Sequence, residues 1–446
     1  MDEEPSTGNN VVQTGCFLAA PCRVHATESH GIRVSGNHPY AGEALVPSSA
    51  VAEPNSILDG VRDRYAASTD FTVGLEEEYQ LLDPSTYALV QRFEELIEAA
   101  PPELAPHLAG ELIASEIEYR TNPHGRFADA ALDLIQGRLA VAQLLEDHGM
   151  AIGLTGCHPF STWQEQRIID TPHYRRVEGE LGYIAWINNT WSQHIHVGIN
   201  DADRAIAICT AMRSVLPELL ALSANSAVYT GRLTRLHSTR TSLFTRSFPR
   251  CGVPDPLANW AEYEEFVNLL ARTGSIVEST QIWWSIRPHH NFGTIEVRIA
   301  DGQTEMMEAL AITALSLALI ARFADDYDAG VALPADAGRF IEENLWRAQR
   351  HGLEGDMINL RTGDVRSTQD AIRALLDWTA PVHARLGLEP FLARIPVMLE
   401  EGNGAQRQRR AFEQGEDPAV THARAAERTR RSAEEALEIV GTVKST

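Results

Sequence analysis

Apolar and polar residues alternate with a two-residue period over several short stretches of this chain and recur with a helical period over longer ones. Phe71–Leu82 places Phe71, Val73, Leu75, Tyr79 and Leu81 on one side and stops at the turn signal Asp83-Pro84-Ser85, which predicts a strand. Leu112–Thr121, Ser192–Ile199 and Gly293–Ile299 also read as strands, as do the short apolar runs Ala151–Gly156 and Trp283–Arg287. Helices are predicted over Phe93–Ala99, Ala128–His148 and Asp201–Ala221, the last opening on an Asp cap. From Thr304 onward the pattern is helical, with a break near Asp328–Gly338 and a charged terminal helix over Ala419–Ile439. Strands dispersed among long helices at hairpin-like spacing predict an α+β fold with a largely antiparallel sheet. Residues 1–68 are rich in Gly, Ser, Pro, Asn and His without sustained period and read as a disordered or mobile extension. Residues 69–415 form the patterned body, and 416–446 a C-terminal helical tail.

Composition narrows the picture. The chain has 446 residues, 44% hydrophobic and 22% charged, enough for a sizeable core. A formal charge of −23 argues against general affinity for nucleic acid or anionic membranes, both of which need a basic face. Five cysteines without metal-binding spacing suit reduced thiols in a cytoplasmic protein. The acidic start Met1-Asp2-Glu3-Glu4 is unlike a signal peptide, and the apolar run Ala309–Phe323 is short for a bilayer span and suits a buried helix.

The candidate chemistry sits on the strands. Side chains alternate across a strand, so in Gly74-Leu75-Glu76-Glu77-Glu78-Tyr79 the carboxylates of Glu76 and Glu78 share a face and Glu77 points away. Such a pair marks either a solvated edge strand or a site for a hard divalent cation. Glu116 and Glu118 repeat the spacing, His194 and His196 share a third face, and Glu296 and Arg298 a fourth. If these strands are neighbours, one sheet face carries carboxylates, histidine and arginine, and needs ions or ligand to be stable. That composition suits phosphoryl chemistry, with Arg298 either paired to Glu296 or facing a phosphate. Five arginines in Gly231–Arg250, among them Arg232, Arg240 and Arg246, form either a charge-balancing loop or a phosphate-covering one. There is no P-loop and no dinucleotide-binding glycine motif, so a nucleotide would be held by metals and basic side chains on a sheet.

Taken in order, these segments resemble the type 2 glutamate–cysteine ligase-like carboxylate–amine ligases, whose fold is related to glutamine synthetase. The resemblance rests on Gly74–Pro84, Glu116–Thr121, His194–Ile199, Asn225-Ser226, Gly231–Thr234, Ser238–Arg240, Pro249–Gly252, Trp284–His289, Gly293–Arg298 with Asp301, Glu343–Ala348 and Gly404–Arg409, and it runs from about residue 70 to 415. The chain departs from the family pattern at Ala227, Val228 and Tyr229, where Pro and Trp are usual. It departs again over Arg240–Pro249, including Phe244 and Phe248, where the family's Arg-x-x-x-Trp-x-Arg-Trp-Pro element reads Arg-Thr-Ser-Leu-Phe-Thr-Arg-Ser-Phe-Pro.

The resemblance implies a catalytic domain over 69–415, with an antiparallel sheet whose polar face holds metal and nucleotide and whose other side is packed by helices. It implies an ATP-dependent ligase that phosphorylates a substrate carboxylate and lets an amine attack the acyl phosphate. Glu76, Glu78, Glu116, His196 and Glu296 would hold two or three Mg²⁺ or Mn²⁺ ions. Arg298 and Arg240 would act on the transferring group and substrate. Arg287, Arg246, Arg232, His289 and Glu118 would contact ATP or substrate, Glu118 being also a second-rank metal ligand or a base for the incoming ammonium. A homodimer is compatible with such a fold. A phosphagen-type kinase and a non-catalytic nucleotide-binding relative are the alternatives.

Overall fold

A computed structural model describes residues 57–443, which form one compact unit. Most of the stretch read as an N-terminal extension lies outside them. Part of that reading is corrected, because Val61–Ala67 is a helix belonging to the fold. Its Tyr65 is fully buried and donates to the Thr294 carbonyl at 2.8 Å.

The α+β expectation holds. Seven strands make the main sheet: β1 (Val73–Leu82), β2 (Leu108–Ala109), β3 (Glu116–Arg120), β4 (Ala151–Gly153), β5 (Gln193–Gly198), β6 (Ile286–His289) and β7 (Thr294–Val297). Their order is β6-β7-β5-β1-β3-β2, with β4 on the far end of β1, and every pairing is antiparallel. Helices α1 (Phe127–Asp147), α2 (Met306–Asp328) and α3 (Pro418–Val443) pack behind this sheet. Leu75, Leu81, Ile117, Ile195, Val197 and Ile295 face them in one continuous apolar core. α1 runs close to β3: a Cβ on Gly137 would stand 2.1 Å from the Tyr119 ring, so only hydrogen fits there.

Several boundaries differ from the sequence reading for physical reasons. Leu112–Ser115 does not join the strand, which begins at Glu116. The helix expected over Asp201–Ala221 breaks at Arg213–Val215, because Pro217 offers no amide to continue the ladder. Trp283-Trp284 leaves the main sheet and pairs in parallel with Cys251-Gly252. The terminal helix is no separable tail, since Ala433, Ala436 and Val440 are buried and Arg428 pairs with Glu305 at the head of α2. Two helical stretches, Ala202–Ser223 and Met306–Asp328, have the length and hydropathy of membrane spans, but each is 89% buried within the protein as core.

Candidate active site

Register turns the sequence pairs into one surface. In β1, Glu76 stands across from His194, Glu78 across from Glu118, and Gln80 across from Glu116. On the other side of β5, His196 stands across from Glu296, and Glu296 across from Arg287. The face opposite the helices therefore gathers Glu76, Glu78, Glu116, Glu118, His194, His196, Glu296 and Arg298.

Three sets of side chains bring ligand atoms within 4.8 Å of one another: Glu76 with Glu118 and His194; Glu76 with His196 and Glu296; Glu78 with Glu111 and Glu118. Glu76 accepts from His194 Nδ1 at 3.0 Å and lies 3.3 Å from His196 Nε2. Burial would raise the Glu76 carboxyl, but His196 and His194 outweigh it and hold it well below the usual range. Glu296 is likewise held low, because Arg287 and Arg298 overcome its burial.

The other end of the face is the reverse case. Burial, then neighbouring carboxylates (Glu78 first for Glu116 and Glu111, Glu76 first for Glu118), push Glu116 and Glu118 well above the usual range and Glu111 up to about 8. Four carboxyl groups share this end with Arg120 (3.4 Å from Glu118) and His194 (3.6 Å from Glu78), an excess of negative charge that protons or a metal cation would neutralise. The oxygen and imidazole donors suit Mg²⁺ or Mn²⁺. Glu116 Oε1 and His196 Nε2 are buried with no hydrogen-bond partner, as ligands awaiting an ion would be.

Positive groups border the acidic ones. Arg298 pairs with Glu296, and its buried Nε has no partner. Arg240 is buried, donates to the Arg298 and Ile299 carbonyls at 3.2 and 3.3 Å, and also has an unpartnered Nε. Asp301 fixes the loop that carries Arg240: it accepts from Ser226 Oγ at 2.7 Å and Ser238 Oγ at 2.9 Å, and Ser226 Oγ accepts from the Arg240 amide at 3.1 Å. A cavity of about 100 Å³ opens between these groups, lined by Glu78, Glu116, Arg240, Arg298, Phe244 and Phe248. The two phenylalanines that depart from the family pattern are thus part of its wall, while Ala227 is buried against Ala224 and Ala405 elsewhere.

Not every expected residue reaches this surface as a free group. Arg287 binds both oxygens of Glu296 and the Thr280 and Ile282 carbonyls, so it orients Glu296 and has little left for a phosphate. His289 stacks on Phe292 and stands edge-on to His196. Burial lowers its pKa to about 3. Arg246 pairs with Glu342, and Arg232 is exposed on a two-residue strand; neither lines the cavity. Two ligand candidates go beyond the expected set. His194 was legible as the face-mate of His196, whereas Glu111 lies in an irregular segment that carries no periodic signal.

The model of glutamate–cysteine ligase family 2 matches residues 72–429. The chain belongs to that family. It is therefore a ligase of the glutamate–cysteine ligase type. A protein of Gloeobacter violaceus named "Putative glutamate–cysteine ligase 2" is 37% identical over 352 residues, covering 78% of this chain and 94% of the relative. A protein of Rubrobacter xylanophilus with the corresponding name is 38% identical over 347 residues, 78% and 93%. Among solved structures, the fold matches a glutamate–cysteine ligase of Francisella tularensis in complex with AMP, with TM-score 0.58 and 12% identity over 84% of this chain and 94% of that one. It also matches a bifunctional glutathione synthetase of Pasteurella multocida, with TM-score 0.57, 15% identity, and 85% and 55% covered.

Proposed function

We propose that this family member joins a glutamate-like carboxylic acid to an amino acid or amine through an acyl phosphate formed at the acidic sheet face. The observation that carries the reading is the overlap of three ligand sets, sharing Glu76 and Glu118, beside Arg298 and Arg240. Two or three Mg²⁺ or Mn²⁺ ions, held by Glu76, Glu78, Glu118, His194, His196 and Glu296 with Glu111 and Glu116 closing the cluster, would bridge nucleotide phosphates and neutralise charge there.

Arg298, kept protonated by Glu296 despite its burial, stabilises the phosphoryl group in transit. Arg240, anchored through Ser226 and Asp301, orients the acid substrate or its phosphate from the cavity wall. The substrate carboxylate oxygen attacks the γ-phosphorus, the bond to the β-phosphate oxygen breaks, and ADP leaves. The amine then attacks the acyl carbon, phosphate leaves, and the amine's surplus proton passes to a carboxylate such as Glu118. Water must be kept from the acyl phosphate meanwhile, a task suited to Phe244 and Phe248. The test is a screen of acids and amines for stimulated ADP release, with mass spectrometry of the product. An amide formed in step with ADP supports the reading. A phosphorylated acid or amine as the end product would replace it with a kinase.

A further inference from the structure

A second cavity, of about 520 Å³, lies outside the acidic face, lined in part by Glu218, Arg322, Phe323, Arg366, Leu375 and Trp378. Glu218 is in the first turn of the helix Leu216–Ser223, where the helix N-terminus favours a negative charge. That favour does not use up its carboxylate. The side chain is 94% buried by its 6% relative exposure, and Oε2 has no hydrogen-bond partner. Burial raises its pKa to about 7, opposed by its own backbone amide and by Arg366.

On another wall, Arg366 of the strand Val365–Ser367 presents a buried Nε, also without a partner. No ion pair joins Glu218 to Arg366 among the described residues. Arg322 also has a buried Nε without a partner, but its guanidinium pairs with Asp326 at 3.0 Å and lies 5.6 Å over the Trp378 ring. The Ser214 hydroxyl oxygen is likewise buried and unpartnered. The cavity therefore presents a carboxylate oxygen and a guanidinium nitrogen, each buried and without a hydrogen-bond partner, with apolar surface from Phe323, Leu375 and Trp378 in the same lining. Leaving such atoms unpartnered is costly, and a ligand carrying both complements satisfies them together.

We infer that this cavity binds a free α-amino acid with an apolar side chain, its ammonium on Glu218, its carboxylate on Arg366 and its side chain against Trp378 and Phe323. The site is separate from the ligase centre and does not depend on the reaction proposed there.

Isothermal titration of the full chain with L-phenylalanine, L-leucine and L-methionine tests it, with 2-phenylethylamine and 3-phenylpropionate as half-ligands. At least one amino acid should bind wild type, and its half-ligands at least tenfold more weakly. Glu218→Gln and Arg366→Gln should each weaken binding at least tenfold, with circular dichroism showing the native fold. Glu78→Ala, at the ligase face, should leave it unchanged. No binding to wild type by any of the three would overturn the inference, as would binding that survives Glu218→Gln and is lost in Glu78→Ala. Because Arg366 sits on a short surface hairpin, its variant remains informative should Glu218→Gln fail to fold.

Discussion

Glu76, Glu77 and Glu78 are the same residue three times over on one strand, yet they live in two different chemistries. Glu77 faces the helices, where its carboxylate meets the guanidinium of Arg138 on α1: its Oε2 accepts from Arg138 Nε at 3.0 Å and from the Tyr79 hydroxyl at 2.6 Å. Arg138 spends its remaining donors on the carbonyls of Gln303, Thr304 and Thr429. Every charge there has a protein partner, and the pair ties β1 to α1, to the head of α2 and to α3. Glu76 and Glu78 face the other way, where Glu78 stands opposite Glu118 and buried atoms such as Glu116 Oε1 have no hydrogen-bond partner. A protein interior tolerates charge when it is paired within the chain. The opposite face lacks such internal pairing, which is why we propose it as the metal-binding one.

The comparison breaks most sharply by mutation. Glu78→Ala should lower metal-dependent ADP formation by roughly 10³-fold or more while the protein stays folded, since it removes a proposed ligand from the charge-stabilising centre. Turnover within tenfold of wild type would remove the ligand role. Glu77→Gln should do the opposite, costing about 3–5 kcal/mol of stability by stranding the buried Arg138 charge. Chemical denaturation reads the loss, and an unchanged midpoint would mean that the core pair matters little.

Protons sharpen the same contrast. Glu111, Glu116 and Glu118 have folded-state pKa values raised above the ordinary 4.5, Glu111 to about 8. Above 4.5 the folded protein holds protons on these groups that the unfolded chain has released, so metal-free stability should fall as pH rises from about 7 to 8, above the range in which lowered histidines such as His289 contribute the opposite slope. Saturating Mg²⁺ should cancel the slope and release protons on binding, visible as a buffer-dependent heat. A metal-free melting temperature that rises over that window would contradict the assignment. Arg287→Lys should weaken metal binding about 10- to 100-fold by loosening Glu296, as loss of a group that orients a ligand does. The smallest effect is expected at Arg246→Ala, whose half-exposed pair with Glu342 should cost under about 1 kcal/mol in denaturation and change turnover less than twofold. A large loss of activity there would return the arginine segment to the active site.

The division between the two faces was readable in advance because it follows from strand periodicity alone. Glu76 against Glu77, Glu116 against Ile117 and His196 against Val197 each fall where a two-residue period puts them. What a single sequence does not carry is which strands are neighbours and what each long side chain meets. Arg287 and Arg298 looked equally available for phosphate, and only the register across from Glu296 shows Arg287 saturated. Glu111 was invisible because an irregular segment has no period to read. Arg138 was one more polar residue on a helix, and its partner Glu77 looked merely turned away from the metal side. The segment 57–67 was read with its unpatterned neighbours, although Val61 and Tyr65, at helical spacing, are the residues that dock it.

The most direct test counts ions. Electron paramagnetic resonance of free Mn²⁺ during titration gives the number and strength of bound ions in wild type, Glu78→Ala and Glu77→Gln, the last under conditions where it is folded. The acidic face should bind at least two ions in wild type, lose affinity at least tenfold in Glu78→Ala, and keep wild-type affinity in Glu77→Gln. Equal Mn²⁺ binding by wild type and Glu78→Ala would contradict the assignment of the site to that face of β1.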